Sequence, residues 1–312
     1  MSEQIKVIFF GTPTFAVPSL EKLNADKRIN ICLVVTQPDS PQGRSKKLVP
    51  SEIKQVALKL KLPVINSKIN SDFKEEIAKY GPFDLGVVVA YGAILPEWLL
   101  RIPAKGVLNI HPSKLPLLRG PSPIQTILLL GQTTTAISYI LLDNEMDHGP
   151  IVSQIPIPIS ESDTFTTLSS KLATKSSKEF PNVVCDFIDE TLKARVQNHK
   201  EATFSKIIKK EDGHISWNTT NAEIMNKVRA LNPWPSTFAF WNGKKIKIIN
   251  TRTHLTNATS NPGLVKIENN SIIVETKNGE IEILNLQLEG KKPLSSRDFL
   301  NGYPDIEGSL LS

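Results

Sequence analysis

Two side chains that together support acyl-transfer chemistry lie two residues apart in the segment GVLNIH. Asn109 and His111 project from one face of the predicted strand, because successive side chains alternate between its two faces. A neutral imidazole can act as a general base, and a neighbouring carboxamide can donate a hydrogen bond to a developing oxyanion. A capping asparagine beside a packed core histidine would give the same spacing, so the spacing alone leaves both interpretations open.

A second polar cluster lies in the turn LLDNEMDHGPI, which follows an apolar strand. Its acidic residues are Asp143, Glu145 and Asp147. One of these carboxylates can orient a histidine, as the acid of a catalytic triad does. Acidic residues are also common in solvated hairpin turns. The turn by itself therefore indicates no particular function.

Several common cofactor-binding and metal-binding motifs are absent from the sequence. The first strand is followed by FFGTPTFAVPSL, whose single glycine, Gly11, does not form the G-x-G-x-x-G fingerprint of dinucleotide-binding folds. The sequence contains no P-loop, no H-E-x-x-H and no C-x-x-C. These patterns argue against an oxidoreductase or a nucleoside triphosphatase, and we expect no metal site.

The elements that must position these side chains alternate between short apolar strands and helices. Strands are predicted at KVIFF, ICLVVT, DLGVVVAY, GVLNIH, Ala136–Leu142 and Ile151–Ile159. Continuously apolar strands separated by helices predict an α/β fold with a doubly wound, mostly parallel sheet that is covered on both faces. Asn109 and His111 then lie at the carboxyl end of a strand, where open α/β sheets bind ligands.

The character of the sequence changes after residue 192. Residues 193–206 are polar and poorly periodic, which is typical of a linker. Residues 207–312 contain short β-rich runs separated by turn signals such as Asn242-Gly243 and Asn278-Gly279, which favour hairpins. We therefore expect a first domain at 1–192, a linker at 193–206, and a small antiparallel β-barrel at 207–312.

The chain carries a surplus of positive charge, with 37 basic and 31 acidic residues among 312. The stretch from Pro41 to Lys61 holds six basic side chains against one acidic. The loop Asp39–Pro50, which overlaps the start of this stretch and is here named the basic loop, suits a nucleic-acid backbone, although a solvated basic surface would have the same composition. Cys32 and Cys185 are too few for a disulfide framework, and no apolar run reaches the roughly 20 residues of a membrane span. We expect a cytoplasmic protein that does not associate with membranes.

The sequence resembles the methionyl-tRNA formyltransferase family along essentially the whole chain. The motifs that carry the resemblance are FFGTPTFAVPSL, VVTQPDSPQGRSKKLVPSEIKQVA, AYGAILP, LNIHPSKLPLLRGPSPIQ, LDNEMDHGPI, RALNPWPSTFAFWNGKKIKI and LQLEGKKPLSSRDFLNG. The central motifs alone indicate the wider superfamily of folate-dependent formyltransferases. The basic loop and the C-terminal motifs narrow the resemblance to the tRNA enzymes.

The resemblance implies a Rossmann-like formyltransferase domain followed by an OB-like β-barrel that binds tRNA. It also implies transfer of a formyl group from 10-formyltetrahydrofolate to the α-amino group of methionine on initiator tRNA. In that reaction Asn109 would hydrogen-bond the tetrahedral oxyanion. His111 would deprotonate the amine or stabilise the oxyanion as an imidazolium, and Asp147 would orient His111.

The resemblance further assigns the contacts of the folate and of the tRNA. The residues implied in folate binding are Ser113, Lys114, Leu115, Pro116, Tyr91, Ile94 and Asp143. The residues implied in tRNA binding are Arg44, Lys46 and Lys47. Glu145 and His148 depart from the family's usual pattern in the turn near Asp147. A monomer is expected.

Two alternatives stay open at this point. A folate-dependent formyltransferase acting on another amine, such as an amino sugar, would share the central motifs but would not need the basic loop. An RNA-binding protein with an inert catalytic domain would bind tRNA without turnover. The histidines outside the central motif, including His148 and His199, show no partner pattern and are expected at the surface.

Overall fold

The structure is a computed structural model that describes residues 3–42, 47–70, 72–254 and 261–312. The chain divides into two compact units. The first consists of Met1–Gly120, Thr134–Ile157 and Ser169–Phe204, and the second of Pro121–Thr133, Pro158–Leu168 and Ser205–Ser312. Within the described ranges, no helix combines the length and the apolar character that crossing a bilayer requires.

The strands and helices follow the predicted alternation in the first half of the chain. The strands of the described residues are β1 Ile5–Gly11, β2 Ile29–Val35, β3 Ser40–Gln42, β4 Lys47–Val49, β5 Val64–Ile65, β6 Leu85–Val89, β7 Val107–His111, β8 Thr134–Leu141, β9 Ile151–Pro158, β10 Thr237–Trp241, β11 Lys244–His254, β12 Val265–Glu268, β13 Ser271–Thr276, β14 Gly279–Leu288 and β15 Leu294–Ser295. The α-helices are α1 Val17–Ala25, α2 Glu52–Lys59, α3 Phe73–Ala78, α4 Glu97–Leu100, α5 Pro123–Leu129, α6 Phe165–Ile188, α7 Asn221–Leu231 and α8 Ser296–Gly302.

The first unit is built on a sheet with the strand order β5-β2-β1-β6-β7-β8-β9. Strands β5, β2, β1, β6 and β7 pair in parallel, and β8 runs antiparallel to β7. All five residues of β7 are buried, as are those of β6. The prediction of a mostly parallel sheet is confirmed, and β7 lies between two strands that fix its backbone on both sides.

Specific contacts fix the start of one helix of this unit and the packing of another on the sheet. Helix α2 begins at the predicted cap, where the Ser51 hydroxyl accepts a hydrogen bond from the Lys54 amide at 3.0 Å. Helix α6 packs on β8, because the Tyr139 ring stacks on Phe180 with centroids 5.4 Å apart. The Tyr139 hydroxyl also donates to the Ser176 carbonyl at 2.8 Å. These contacts hold β8 firmly, and β8 leads into the acidic turn.

The second unit carries an antiparallel sheet with the order β10-β11-β14-β13-β12, and β15 pairs with β14. The predicted hairpin at Asn242-Gly243 joins β10 to β11, and both turn residues have positive φ, at 49° and 74°. That conformation matches a type I′ turn. The predicted C-terminal region of antiparallel strands is therefore confirmed.

Candidate active site

Asn109 and His111 lie at the carboxyl end of β7 and are almost fully buried, with 8% and 4% of their surface exposed. Asn109 is in register with Val88 of β6 and with Ile140 of β8. Within the described residues, its carboxamide makes no hydrogen bond with another protein group. A buried amide without an internal partner is well placed to donate to a bound ligand.

The His111 ring has an oxygen near each of its two nitrogens. Nε2 lies 3.0 Å from the Leu118 carbonyl oxygen, which can only accept a hydrogen bond. Nδ1 lies 3.4 Å from Oδ1 of Asp147. The Leu118 carbonyl therefore favours a ring that carries a hydrogen on Nε2.

Asp147 is held in the predicted turn by backbone as well as side-chain contacts. Its φ of +50° lies in the left-handed region, which non-glycine residues seldom adopt. Its Oδ2 accepts a hydrogen bond from the Gly120 amide at 2.7 Å. A Cβ at Gly149 would lie only 1.8 Å from the Leu141 carbonyl oxygen, so the turn presses directly on the end of β8. The structure thus brings Asp147 to His111 through a tightly constrained backbone.

Asp143, the other implied acid of the turn, pairs with a neighbouring histidine. Its Oδ2 lies 2.6 Å from Nδ1 of His148, and its Oδ1 accepts from the Glu145 amide at 3.0 Å. The His148 ring stacks on His199 with centroids 3.9 Å apart and planes 7° apart. His199 is exposed, as expected, but His148 is half-buried, and it pairs with Asp143 in the same turn and with His199 from the later polar stretch.

The segment Ser113–Pro116 follows β7 as a loop whose shape is fixed by polar contacts. The Ser113 hydroxyl donates to the Leu117 carbonyl at 2.6 Å, within the loop itself. The Gln154 amide donates to the Leu115 carbonyl at 3.1 Å and to the Ser138 hydroxyl at 2.8 Å. Leu115 is buried, whereas the Lys114 side chain is exposed. All four carbonyls of the loop already accept hydrogen bonds within the protein, so its exposed Lys114 ammonium is the clearest group for a ligand.

The two implied wall residues of the folate site have different surroundings. Tyr91 is buried and packs edge-on against Phe10, with ring centroids 5.6 Å apart. Burial raises the pKa of the Tyr91 phenol, so it stays protonated at neutral pH. Ile94 is 80% exposed. Tyr91 is part of the core, and Ile94 presents its apolar surface outward.

The basic loop is described only in part. Arg44 and Lys46 lie outside the described residues, and Lys47 is an exposed residue at the start of β4. Nζ of Lys54 lies 2.9 Å from both carboxylate oxygens of Asp39. This ion pair offsets the charge of Lys54, so Lys47 is the better candidate contact for a phosphate.

Sequence reasoning missed one buried polar residue beside the site, Gln197. It belongs to residues 193–206, whose polar composition predicts a linker, yet only 5% of its surface is exposed. Its amide donates to the carbonyls of Asp147 and Gly149 at 2.8 and 2.7 Å. These partners lie 50 and 48 residues away, so no local pattern could reveal them. Among the described residues, no group of three or more potential ligand side chains is arranged to hold a metal ion.

Two family models match successive parts of the chain. The formyl transferase model matches residues 4–184, and the model of the formyl transferase C-terminal domain matches residues 207–304. The first match contains Asn109, His111 and Asp147. The second contains most of the antiparallel sheet.

Individual relatives match over nearly the full length. A methionyl-tRNA formyltransferase from Thermodesulfovibrio yellowstonii is 40% identical over 97% of each chain. One from Caldicellulosiruptor saccharolyticus is 40% identical over 98% of this chain and 99% of its own. Among solved structures, an N-formyltransferase from Helicobacter canadensis, in complex with folinic acid and dTDP-3-aminofucose, shares the fold. Its TM-score is 0.67 at 21% identity, with 90% of this chain and 99% of that chain covered. By its sequence and its fold, the chain belongs to the methionyl-tRNA formyltransferase family.

Proposed function

We propose that this chain transfers the formyl group of 10-formyltetrahydrofolate to the α-amino group of methionine on initiator tRNA. The observation that carries the proposal is the convergence of Asn109, His111 and Asp147 at the carboxyl end of β7. Two relatives that are 40% identical bear the name of this activity. The Helicobacter canadensis structure, which holds folinic acid, adds support for a folate as the formyl donor.

The reaction begins when the neutral amine attacks the formyl carbon and a new C–N bond forms. The formyl oxygen becomes an oxyanion, and the Asn109 carboxamide donates a hydrogen bond to it. The bond between the formyl carbon and N10 of the folate then breaks, and the proton lost by the amine balances the one gained by N10. The products are tetrahydrofolate and formylmethionyl-tRNA.

His111 serves this step chiefly by stabilising the oxyanion. This assignment follows from the Leu118 carbonyl, which keeps the hydrogen on Nε2. For His111 to act as a base, Nε2 would have to give up its hydrogen and leave the Leu118 carbonyl. Asp147 orients the ring, because its carboxylate lies 3.4 Å from Nδ1 of His111.

The folate is assigned to the loop Ser113–Pro116, where the Lys114 side chain is exposed. Tyr91 is assigned as a buried wall residue of the folate site and Ile94 as an exposed apolar contact. Asp143 acts through the turn, because its carboxylate is already paired with His148. We assign no metal ion to the reaction.

The tRNA is assigned to the basic loop, through Arg44, Lys46 and Lys47, and to residues 207–312 as the tRNA-binding domain. Residues 1–192 form the catalytic domain in this proposal, and residues 193–206 connect the two. The protein acts as a cytoplasmic monomer.

The Arg44→Ala change tests the tRNA assignment. Removal of one phosphate contact should raise KM for tRNA several-fold and reduce the slope of log K against log salt by about one. The measurement is KM for Met-tRNA at several salt concentrations, with Lys22→Ala on helix α1 as a matched loss of charge outside the basic stretch. An unchanged KM at every salt concentration would contradict the assignment.

The whole proposal is tested by an assay of formyl transfer with purified protein. We expect formylmethionyl-tRNA to form from 10-formyltetrahydrofolate and charged initiator tRNA, with no transfer to a nucleotide-linked amino sugar. The alternative, a sugar formyltransferase, predicts the reverse preference. Binding of Met-tRNA without any transfer would instead indicate an inert catalytic domain.

A further inference from the structure

Residues 195–204, here named the crossing segment, are fastened at both ends to parts of the first unit that flank the site. At one end Arg195 forms an antiparallel bridge with Ile151 of β9, with two backbone hydrogen bonds of 2.8 Å. At the other end the Thr203 carbonyl accepts from the Arg119 amide at 2.9 Å. The Thr203 hydroxyl accepts from the Leu118 amide, also at 2.9 Å. The segment is therefore ordered by backbone pairing rather than left as a free connection.

Between Arg195 and Thr203 lies the buried Gln197, whose side-chain NH₂ group and carbonyl oxygen both form hydrogen bonds. Its NH₂ group donates to the Asp147 carbonyl at 2.8 Å and to the Gly149 carbonyl at 2.7 Å. Its carbonyl oxygen accepts from Nη2 and Nε of Arg119, at 2.9 and 3.2 Å. Among side chains of this length, only an amide donates two hydrogen bonds at one end and accepts two at the other.

The groups that Gln197 contacts are the ones that carry the two partners of the His111 ring. Asp147 supplies the carboxylate near Nδ1, and Arg119 directly follows Leu118, whose carbonyl faces Nε2. One side chain thus links the turn on one side of the ring to the loop on the other. Asp147 also needs external support, because its left-handed backbone conformation is unfavourable for a non-glycine residue.

We propose that Gln197 is a positioning residue, which fixes the orientation of His111 by holding Asp147 and the Leu118–Arg119 loop at a set separation. It does not touch the reacting atoms, so its effect passes through His111 and Asp147. The effect on catalysis rests on the proposed formyl transfer, whereas the effect on the orientation of His111 does not depend on that reaction.

Two substitutions test the hydrogen bonds that the Gln197 amide donates and accepts. Gln197→Glu keeps an acceptor for Arg119 but faces the Asp147 and Gly149 carbonyls with a carboxylate, so both donated hydrogen bonds are lost. Gln197→Met has a similar length and removes both halves without adding charge. The matched control is Asn198→Ala, since Asn198 is exposed, and its amide donates only to Glu201, within the crossing segment.

The kinetic test compares kcat and KM for these variants with the native chain. We expect Gln197→Glu to lower kcat by roughly 10- to 100-fold, because small misplacements of catalytic groups cost about that much. KM for both substrates should change little, and Asn198→Ala should match the native chain. In an Asp147→Asn background, Gln197→Glu should cost clearly less than in the native chain, because one of the two partners of His111 that it holds is already gone.

The structural test uses the ¹⁵N resonances of the His111 ring, which report its hydrogen bonding whether or not the protein turns over. Gln197→Glu and Gln197→Met should both shift them, and Asn198→Ala should not. Unchanged His111 resonances in either folded Gln197 variant would overturn the proposal. So would an equal loss of kcat with and without Asp147. If the native chain transfers no formyl group, the proposed function fails, and the resonances alone then decide the positioning role.

Discussion

The two halves of the candidate site are held in place by different means. Asn109 and His111 lie on β7, whose backbone pairs with a strand on each side and whose residues are all buried. Asp147 lies in a turn, with a left-handed backbone, and its contacts come from Gly120 and Gln197. The strand half depends on the sheet, and the turn half depends on a few specific contacts. Substitutions near the turn should therefore lower the rate by displacing Asp147. On the strand, only substitution of Asn109 or His111 itself should lower it.

The largest effect is expected on the strand half. Asn109→Ala removes the donor to the oxyanion, which typically costs roughly 2.7–4 kcal/mol, or about 10²–10³ in kcat. The thermal unfolding midpoint should change little, because the carboxamide makes no internal hydrogen bond within the described residues. Steady-state kinetics and a circular-dichroism melt measure the two quantities. A kcat within a few-fold of the native value would show that Asn109 is a packing residue.

The turn half should respond to a substitution that touches no catalytic group. In Gly149→Ala the new methyl group would overlap the Leu141 carbonyl oxygen, so the turn must move. We expect kcat to fall by up to about 100-fold, together with a lower unfolding midpoint. Gly302→Ala is the matched control, because no atom lies within 4 Å of its added Cβ. Equal activity of the two variants would mean that the turn tolerates displacement.

A third substitution tests the loop Ser113–Pro116, the proposed folate contact, separately from the strand and the turn. Gln154→Met removes the hydrogen bonds to the Leu115 carbonyl and the Ser138 hydroxyl, but leaves β7 and the turn intact. Loss of about 1–1.5 kcal/mol of support for the loop should raise KM for the folate up to about tenfold, with kcat nearly unchanged. Titration of the folate at saturating tRNA measures this. A fall in kcat without a change in KM would place Gln154 with the turn instead.

The smallest effect on activity is expected in the second unit, where an ion-pair cluster serves stability. Nζ of Lys266 lies 2.8 Å from Glu275 and 2.7 Å from Glu280, and both carboxylates are buried. The hydrogen bond from Lys266 holds the pKa of Glu275 below its usual range, and the same pair raises the pKa of Lys266. Lys266→Met should lower the free energy of unfolding by roughly 1–2 kcal/mol, since the 41% exposure of the lysine allows solvent to screen part of the attraction.

The pH dependence of this loss follows from the direction of the two shifts. A lowered carboxyl pKa contributes stability above its unfolded value of 4.5, and that stability is lost as pH falls through the folded value. A raised lysine pKa contributes stability below its unfolded value of 10.5, and that is lost as pH rises through the folded value. The difference between native and variant should therefore be constant between about pH 5 and 10 and shrink outside that window. Chemical denaturation across pH measures it, and a difference that grows in acid would contradict the assignment.

The strand half could be predicted from the sequence because local periodicity determines it. The run VLNIH predicts a buried strand, and a spacing of two places Asn109 and His111 on one face. The cap at Ser51 and the turn at Asn242-Gly243 are local signals of the same kind.

The turn half could not be predicted in the same way. Gln197 and His199 reach the site only through contacts with residues about 50 to 80 positions away, such as Asp147 and Arg119. Their local sequence is polar and aperiodic, so no pattern separates them from solvated residues. The burial of Tyr91 and the exposure of Ile94 likewise depend on which elements pack on AYGAILP.

The carboxylate of the turn should act through the histidine on the strand. The most direct test is the single-turnover rate of formyl transfer from 10-formyltetrahydrofolate to Met-tRNA in four proteins: native, His111→Ala, Asp147→Ala and the double variant. Residues that act as one unit are strongly non-additive. We predict that each single variant loses most of the rate and that the double variant is no slower than His111→Ala. If the two losses multiply in the double variant, Asp147 acts independently of His111 and the account is wrong.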